Sequence, residues 1–136
     1  MDVFTEQKRK QIMARIKGRH TLPEKLVRSC LRKLKIRFRG HVKVQSGTPD
    51  FVLLGQKKAV FVHGCFWHGH KNCPRSSRPT TNTAFWNKKI DGNIRRDRKL
   101  IRELKQNGWE VLVIWQCQTK NEAKLLKRLQ LFSEKI

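Results

Sequence analysis

Apolar residues in this chain alternate between helical and strand-like spacing, and each switch marks an element. Leu26, Val27, Cys30, Leu31 and Leu34 recur at helical spacing and predict a helix that buries this stripe, with Cys30 a packed thiol. Thr21-Leu22-Pro23-Glu24 just ahead has capping-box form, with proline tolerated in the first turn. Short β-prone runs follow at 36–38, 42–44, 51–54 and 59–62, the last two joined by a turn at Gly55-Gln56-Lys57-Lys58. Residues 74–82 are rich in Pro, Ser and Thr and read as a loop. Residues 85–104 predict a helix with Ile90, Ile94, Ile101 and Leu104 on its apolar side, stopped by Asn107-Gly108. Residues 109–115 read as a buried strand, with Trp109 and Trp115 assigned to the core, and a last amphipathic helix carries Ala123, Leu126, Leu129 and Phe132. Helix, strands, helix, strand, helix is the order of an α/β sandwich around a small mixed sheet.

The 136 residues suffice for one domain and one ordinary core, and no repeat, linker or composition break divides them. The formal net charge is +22, from 32 Lys+Arg against 10 Asp+Glu. Such a charge opposes compaction and favours polyanions, with the phosphate backbone of nucleic acid first among them. Charge alone implies binding and not catalysis, since a basic architectural protein has the same signature. Segment 6–17 is strongly basic, with Ile12, Met13 and Ile16 on one side, and reads as a solvated helix or an arm that orders on DNA. The polar N-terminus carries no signal peptide, and no apolar run reaches the length of a membrane span. The expectation is an intracellular, nucleic-acid-facing domain with no membrane partner.

Residues 61–73, Phe-Val-His-Gly-Cys-Phe-Trp-His-Gly-His-Lys-Asn-Cys, concentrate the chemistry. Cys65, His70 and Cys73 are close enough to converge within one loop, and Cys117, just past the 109–115 strand, is the natural fourth ligand of a tetrahedral zinc site. Two disulfides or free thiols are the alternatives; the histidine-rich surroundings favour metal. Asp50 heads an apolar strand, and a turn and a second strand follow, which is the layout of a restriction-endonuclease-like nuclease core. Such cores usually place an acid and then a lysine on the second strand, where this chain has Val62-His63-Gly64. Asp50 with the Val62 carbonyl suits Mg2+, which prefers oxygen ligands. His63 and His68 are then candidates for the acid–base work. A helix or turn cap is the plain alternative for Asp50.

These residues resemble the very-short-patch repair endonucleases, which nick one DNA strand beside a T:G mismatch. The resemblance rests on Thr21-Leu22-Pro23-Glu24, Pro49-Asp50-Phe51, the run from Phe61 to His70, Cys73, Asn82-Thr83-Ala84-Phe85-Trp86, Lys89-Ile90 with Asn93, Arg96-Asp97, Gly108-Trp109 and Trp115-Gln116-Cys117. It covers essentially the whole chain in order, and the Gly-Cys-Phe-Trp-His core is highly specific.

The resemblance implies a catalytic Mg2+ on Asp50 and the main chain of Val62. It implies that His68 is the general base, held by Asp97, that His63 assists at the phosphate or leaving group, and that Glu24 lies near the site. It also implies a structural Zn2+ on Cys65, His70, Cys73 and Cys117. Residues matching Phe66, Trp67 and Trp86 wedge between base pairs, those matching Lys89 and Asn93 read the mismatched pair, and the basic arm with Met13 clasps DNA from the other side. Unstacking is cheaper at a mismatch, which gives such wedging its selectivity.

The implied architecture is one nuclease domain, with 1–20 as the arm and 21–136 as the catalytic core. The implied protein is a monomer in a bacterial-type cytoplasm, associated with the nucleoid, acting on double-stranded DNA with a T:G mismatch, with mismatch-repair proteins as candidate partners. The chain departs from the family's common form at Gln116, where Glu is usual, and by an extra residue between His70 and Cys73. A relative that cuts unmismatched DNA and a zinc-stabilised binding module without cleavage are the competing readings; a mere binder has no need of Asp50, His63, His68 and Asp97 together.

Overall fold

The structure is a computed structural model that describes residues 21–44 and 47–134; segment 1–20, Met13 included, lies outside the described residues. Among the described residues, four strands form one sheet in the order β1 (Phe38–Gly40), β2 (Phe51–Leu53), β3 (Lys58–His63) and β4 (Glu110–Trp115). The β1–β2 and β2–β3 pairs are antiparallel, whereas β3 and β4 run parallel. A parallel pair needs a long crossover, supplied here mainly by the 24-residue helix α2 (Thr83–Gln106). Helices α1 (Leu22–Lys33) and α3 (Glu122–Glu134) complete the chain order. Gly108 takes up a left-handed φ of 84° just after α2, as the Asn107-Gly108 stop predicts.

Each face of the sheet has its own core. On one face Val27, Cys30 and Leu31 of α1 and Leu125, Leu129 and Phe132 of α3 bury Phe51, Leu53, Val60 and Ile114. On the other, Ala59 and Phe61 pack with Leu104 of α2, flanked by Leu100, Trp109, Val111 and Val113. The mixed sheet with helices on both faces is the predicted α/β sandwich in its restriction-endonuclease-like form.

Several expectations shift. Leu26 is exposed, because the buried face of α1 runs through Glu24, Val27 and Leu31 and turns Leu26 aside with Leu22. In α3 the buried phase passes through Leu125 and Leu129, leaving Ala123 exposed and Leu126 partly buried. Residues 42–44 form no strand. His41 sits at φ 55°, which bends the chain out of extended geometry, and only an isolated bridge joins Val44 to Gly47. The capping box is half made: Thr21 Oγ1 accepts from Glu24 N at 3.4 Å, but the Glu24 carboxylate points to His41.

Candidate active site and metal centre

The register of β3 against β4 organises the site. Ala59, Phe61 and His63 pair with Val111, Val113 and Trp115, and alternate residues of a strand share one face. The first two layers pack under α2, and the third, His63 with Trp115, opens onto the loop that leaves β3. That loop is wound tightly: His68 N donates to Gly64 O at 3.1 Å and His70 N to Cys65 O at 3.0 Å. Gly69 is pressed onto α2, since a Cβ on it would lie 2.5 Å from Ile94 Cδ1, and its φ of 59° suits glycine.

His63 and His68 stack with ring centroids 3.9 Å apart and planes 5° from parallel. His68 Nδ1 lies 2.6 Å from Asp97 Oδ2, contributed by α2. A carboxylate only accepts, so Nδ1 carries the hydrogen and Nε2 keeps the lone pair that takes a proton. Burial, and then the neighbouring His68, lower the His63 pKa to about 4, so His63 is neutral at physiological pH.

At the other edge of β3, Asp50 Oδ2 accepts from Val62 N at 2.7 Å. The N–H and C=O of one strand residue leave the same edge, so the Val62 carbonyl also faces the Asp50 side. Glu24, buried on α1, joins this corner, with its Oε1 3.0 Å from His41 Nε2. Ligand atoms of Glu24, His41 and Asp50 lie within 4.8 Å of one another. Burial first, and then Glu24, push the Asp50 pKa up to about 7. The buried Glu24 and the partly buried Asp50 place two carboxylates side by side, and their oxygens would suit Mg2+.

Cys65, His70, Cys73 and Cys117 bring their ligand atoms within 4.8 Å of one another, and all four cysteines of the chain are free thiols. Cys117 Sγ is 3.5 Å from His70 Nδ1. Tetrahedral zinc with ordinary bond lengths separates a sulfur and a nitrogen ligand by about 3.6 Å, so the cluster fits Zn2+. Burial, and then the thiols of Cys117 and Cys73, push the Cys65 thiol up to about 11, a penalty that a bound dication reverses.

Phe66, Trp67 and Trp86 form one aromatic cluster, with centroids 5.5 to 6.2 Å apart. Phe66 and Trp67 are half-buried, whereas Trp86 is buried beneath them and the neighbouring Phe85 is exposed. Lys89 Nζ stands 5.9 Å from the centre of the Trp67 ring. Asn93 Nδ2 donates to the Trp67 carbonyl at 3.0 Å, so Asn93 also ties the aromatic loop to α2.

The structure thus gathers the expected residues into three adjoining groups: Asp50, Val62 and Glu24; His63, His68 and Asp97; and the cysteines with His70. Sequence reasoning missed His41, whose only signal was being one of five histidines. It also misplaced Trp115, which is half-buried between His63 and His70 and does not join either core cluster.

Comparison with known proteins gives the family and the fold. Residues 1–75 match the family profile described as DNA mismatch endonuclease Vsr. A type II nicking enzyme, V.NmeAIP of Neisseria meningitidis serogroup A, is 44% identical over 128 residues, covering 94% of this chain and 91% of that protein. The DNA mismatch endonuclease Vsr of Escherichia coli K12 is 39% identical over 124 residues, covering 91% of this chain and 79% of that protein. In fold, the chain is similar to the catalytic domain of the homing endonuclease I-Bth0305I, with a TM-score of 0.60 and 24% identity over 83% of this chain and 94% of that one. The profile match and these relatives, which the chain follows over most of its length, show that it belongs to the DNA mismatch endonuclease Vsr family.

Proposed function

We propose that this endonuclease nicks one strand of double-stranded DNA on the 5′ side of the mispaired T in a T:G mismatch, with a Mg2+ on Asp50 and the Val62 carbonyl and a structural Zn2+ on the cysteine cluster. The observation that carries the reading is the His68–Asp97 contact of 2.6 Å, stacked against a neutral His63. Bound at the Asp50 corner, Mg2+ supplies charge neutralisation at the phosphate.

The protein's own groups do the rest. His68 Nε2 takes the proton of the attacking water, and Asp97 stabilises the imidazolium that results. His63 is positioned by the stack to hydrogen-bond the phosphate or the leaving oxygen. Glu24, beside Asp50, adds a second carboxylate to the corner. Phe66 and Trp67 enter the base stack with Trp86 behind them, and Lys89 and Asn93 meet the mismatched pair. The chain is one domain, its segment 1–20 with Met13 the arm that grips the duplex and 21–136 the catalytic core, and it works as a monomer, as suits an enzyme that cuts only one strand.

The test is a nicking assay on duplexes that differ only in T:G or T:A, with Mg2+ or with EDTA. The T:G duplex in Mg2+ should be cut 5′ of the T and the other three conditions left intact. Equal cutting of both duplexes would instead make this a sequence-directed nickase, a reading that the type II nicking enzymes among its relatives keep in view.

A further inference from the structure

The two ends of the catalytic loop are joined by an unbroken column of rings. His70 of the cysteine cluster stacks on Trp115, with centroids 4.2 Å apart and planes 8° from parallel. Trp115 meets His63 edge to face at 5.2 Å and 74°. His63 stacks on His68, and His68 meets Asp97. Trp115 is thus in contact with one imidazole of each centre. The strand register fixes it there, because His63 and Trp115 are the terminal pair of the parallel β3–β4 ladder. Just beyond it, Trp115 N donates to Gln118 Oε1 at 3.0 Å, and Arg128 Nη1 holds the same oxygen at 2.6 Å, which pins the end of β4 to α3.

We propose that Trp115 is a positioning residue through which the metal held by Cys65, His70, Cys73 and Cys117 sets the orientation of the His63–His68 pair. The zinc centre then has a second task beyond holding the loop. A metal on the cluster would hold the ligating nitrogen of His70 in place, so that the ring and the indole stacked on it could tilt only together. A flat indole stacked on that ring must follow its tilt, and the edge of the indole limits how His63 can turn. Two imidazoles stacked at 3.9 Å move together, so the Nε2 of His68 inherits the constraint. Reacting groups displaced by about 1 Å can lose on the order of 10²-fold in rate, so a small change of tilt suffices to matter. This inference rests on the zinc and the acid–base roles proposed above.

The experiment compares the zinc-loaded wild type with Trp115→Leu, which keeps an apolar side chain but no ring, and Trp115→Phe, which restores a ring. Metal analysis should find about one zinc per chain in all three. Trp115→Leu should lose on the order of 10²-fold in single-turnover nicking of the T:G duplex, with duplex affinity held within about threefold; Trp115→Phe should recover most of the loss. A spectroscopic readout separates positioning from packing. Exchanging zinc for the larger Cd2+ should shift the ring-proton resonances of His63 and His68 in the wild type and in Trp115→Phe, but not in Trp115→Leu.

Zinc-loaded Trp115→Leu cutting at the wild-type rate would overturn the proposal. So would His63 and His68 signals that respond to the exchange equally with and without the indole. Should Trp115→Leu not fold, an absence of any His63 shift on metal exchange in the wild type overturns it equally. A wild type that binds no zinc or cuts no DNA defeats the underlying reading, whereas a zinc-loaded, active wild type matched by its leucine variant defeats this inference alone.

Discussion

Asp97 Oδ2 and His68 Nδ1 meet at 2.6 Å although 29 residues separate them along the chain. The loop after β3 supplies the imidazole and α2 supplies the carboxylate, so the pair exists only when α2 has packed across the sheet. Asp97→Asn preserves the shape but can donate to Nδ1, which would place the hydrogen on Nε2 where a base needs its lone pair. Nicking of the T:G duplex by Asp97→Asn should fall about 10²- to 10⁴-fold, with duplex affinity unchanged. Single-turnover rates set beside fluorescence anisotropy check this; a rate within threefold of wild type would remove Asp97 from the mechanism.

The buried titrating groups give a pH prediction for the metal-free protein. His63 is depressed from 6.5 to about 4, so its contribution to stability is present above pH 6.5 and is lost as pH falls towards 4. At about 1.4 kcal/mol per unit, this contribution is roughly 3 kcal/mol. Asp50 works in the opposite sense: raised from 3.8 to about 7, it contributes stability at low pH that is lost as pH rises through 7. The two slopes oppose each other between pH 4 and 6.5. Asp50→Asn removes one of them, so its melting temperature should climb across that window more steeply than the wild type's. Parallel curves would show that the Asp50 carboxyl is not raised in the folded protein.

The cysteine cluster should bind about one zinc per chain, and Cys73→Ser should release it more readily to a chelator. Loss of the metal should lower the melting temperature and free the loop from 65 to 73. Metal analysis with calorimetry checks both. A protein that purifies without zinc and melts at the same temperature when zinc is added would exclude the tetrahedral site.

At the aromatic cluster, Trp67→Ala should reduce affinity for the T:G duplex by about 1–3 kcal/mol and affinity for the T:A duplex by less. Asn93→Ala should move in the same direction, because its amide holds the Trp67 carbonyl at 3.0 Å. Competition binding with both duplexes is the check. Equal losses on the two would argue that the ring serves general affinity and has no part in mismatch preference.

What the sequence disclosed depended on how local the cause was. The cysteine cluster was legible because three ligands fall within nine residues and Cys117 follows an apolar strand, although only Ile114 of that strand is fully buried. The α/β order followed from the alternation of periods, whereas the parallel pairing of β4 beside β3 emerged only in the fold. Helix phase was less secure: Leu26 and Ala123 fit the spacing, but tertiary packing selected Glu24 and Leu125. Glu24 reads locally as a capping group, the resemblance placed it near the site, and the bend at His41 shows which imidazole its carboxylate meets. Trp115 was unreadable for a similar reason. A tryptophan ending an apolar strand looks like core until the register sets it between two imidazoles.

The central claim is that cutting belongs to the Asp50 corner and the histidines, while zinc holds the frame. Single-turnover nicking of a strand-labelled T:G duplex by Asp50→Ala in saturating Mg2+ tests it most directly. The account predicts no detectable nick with mismatch binding retained, and nicking at the wild-type rate would contradict it.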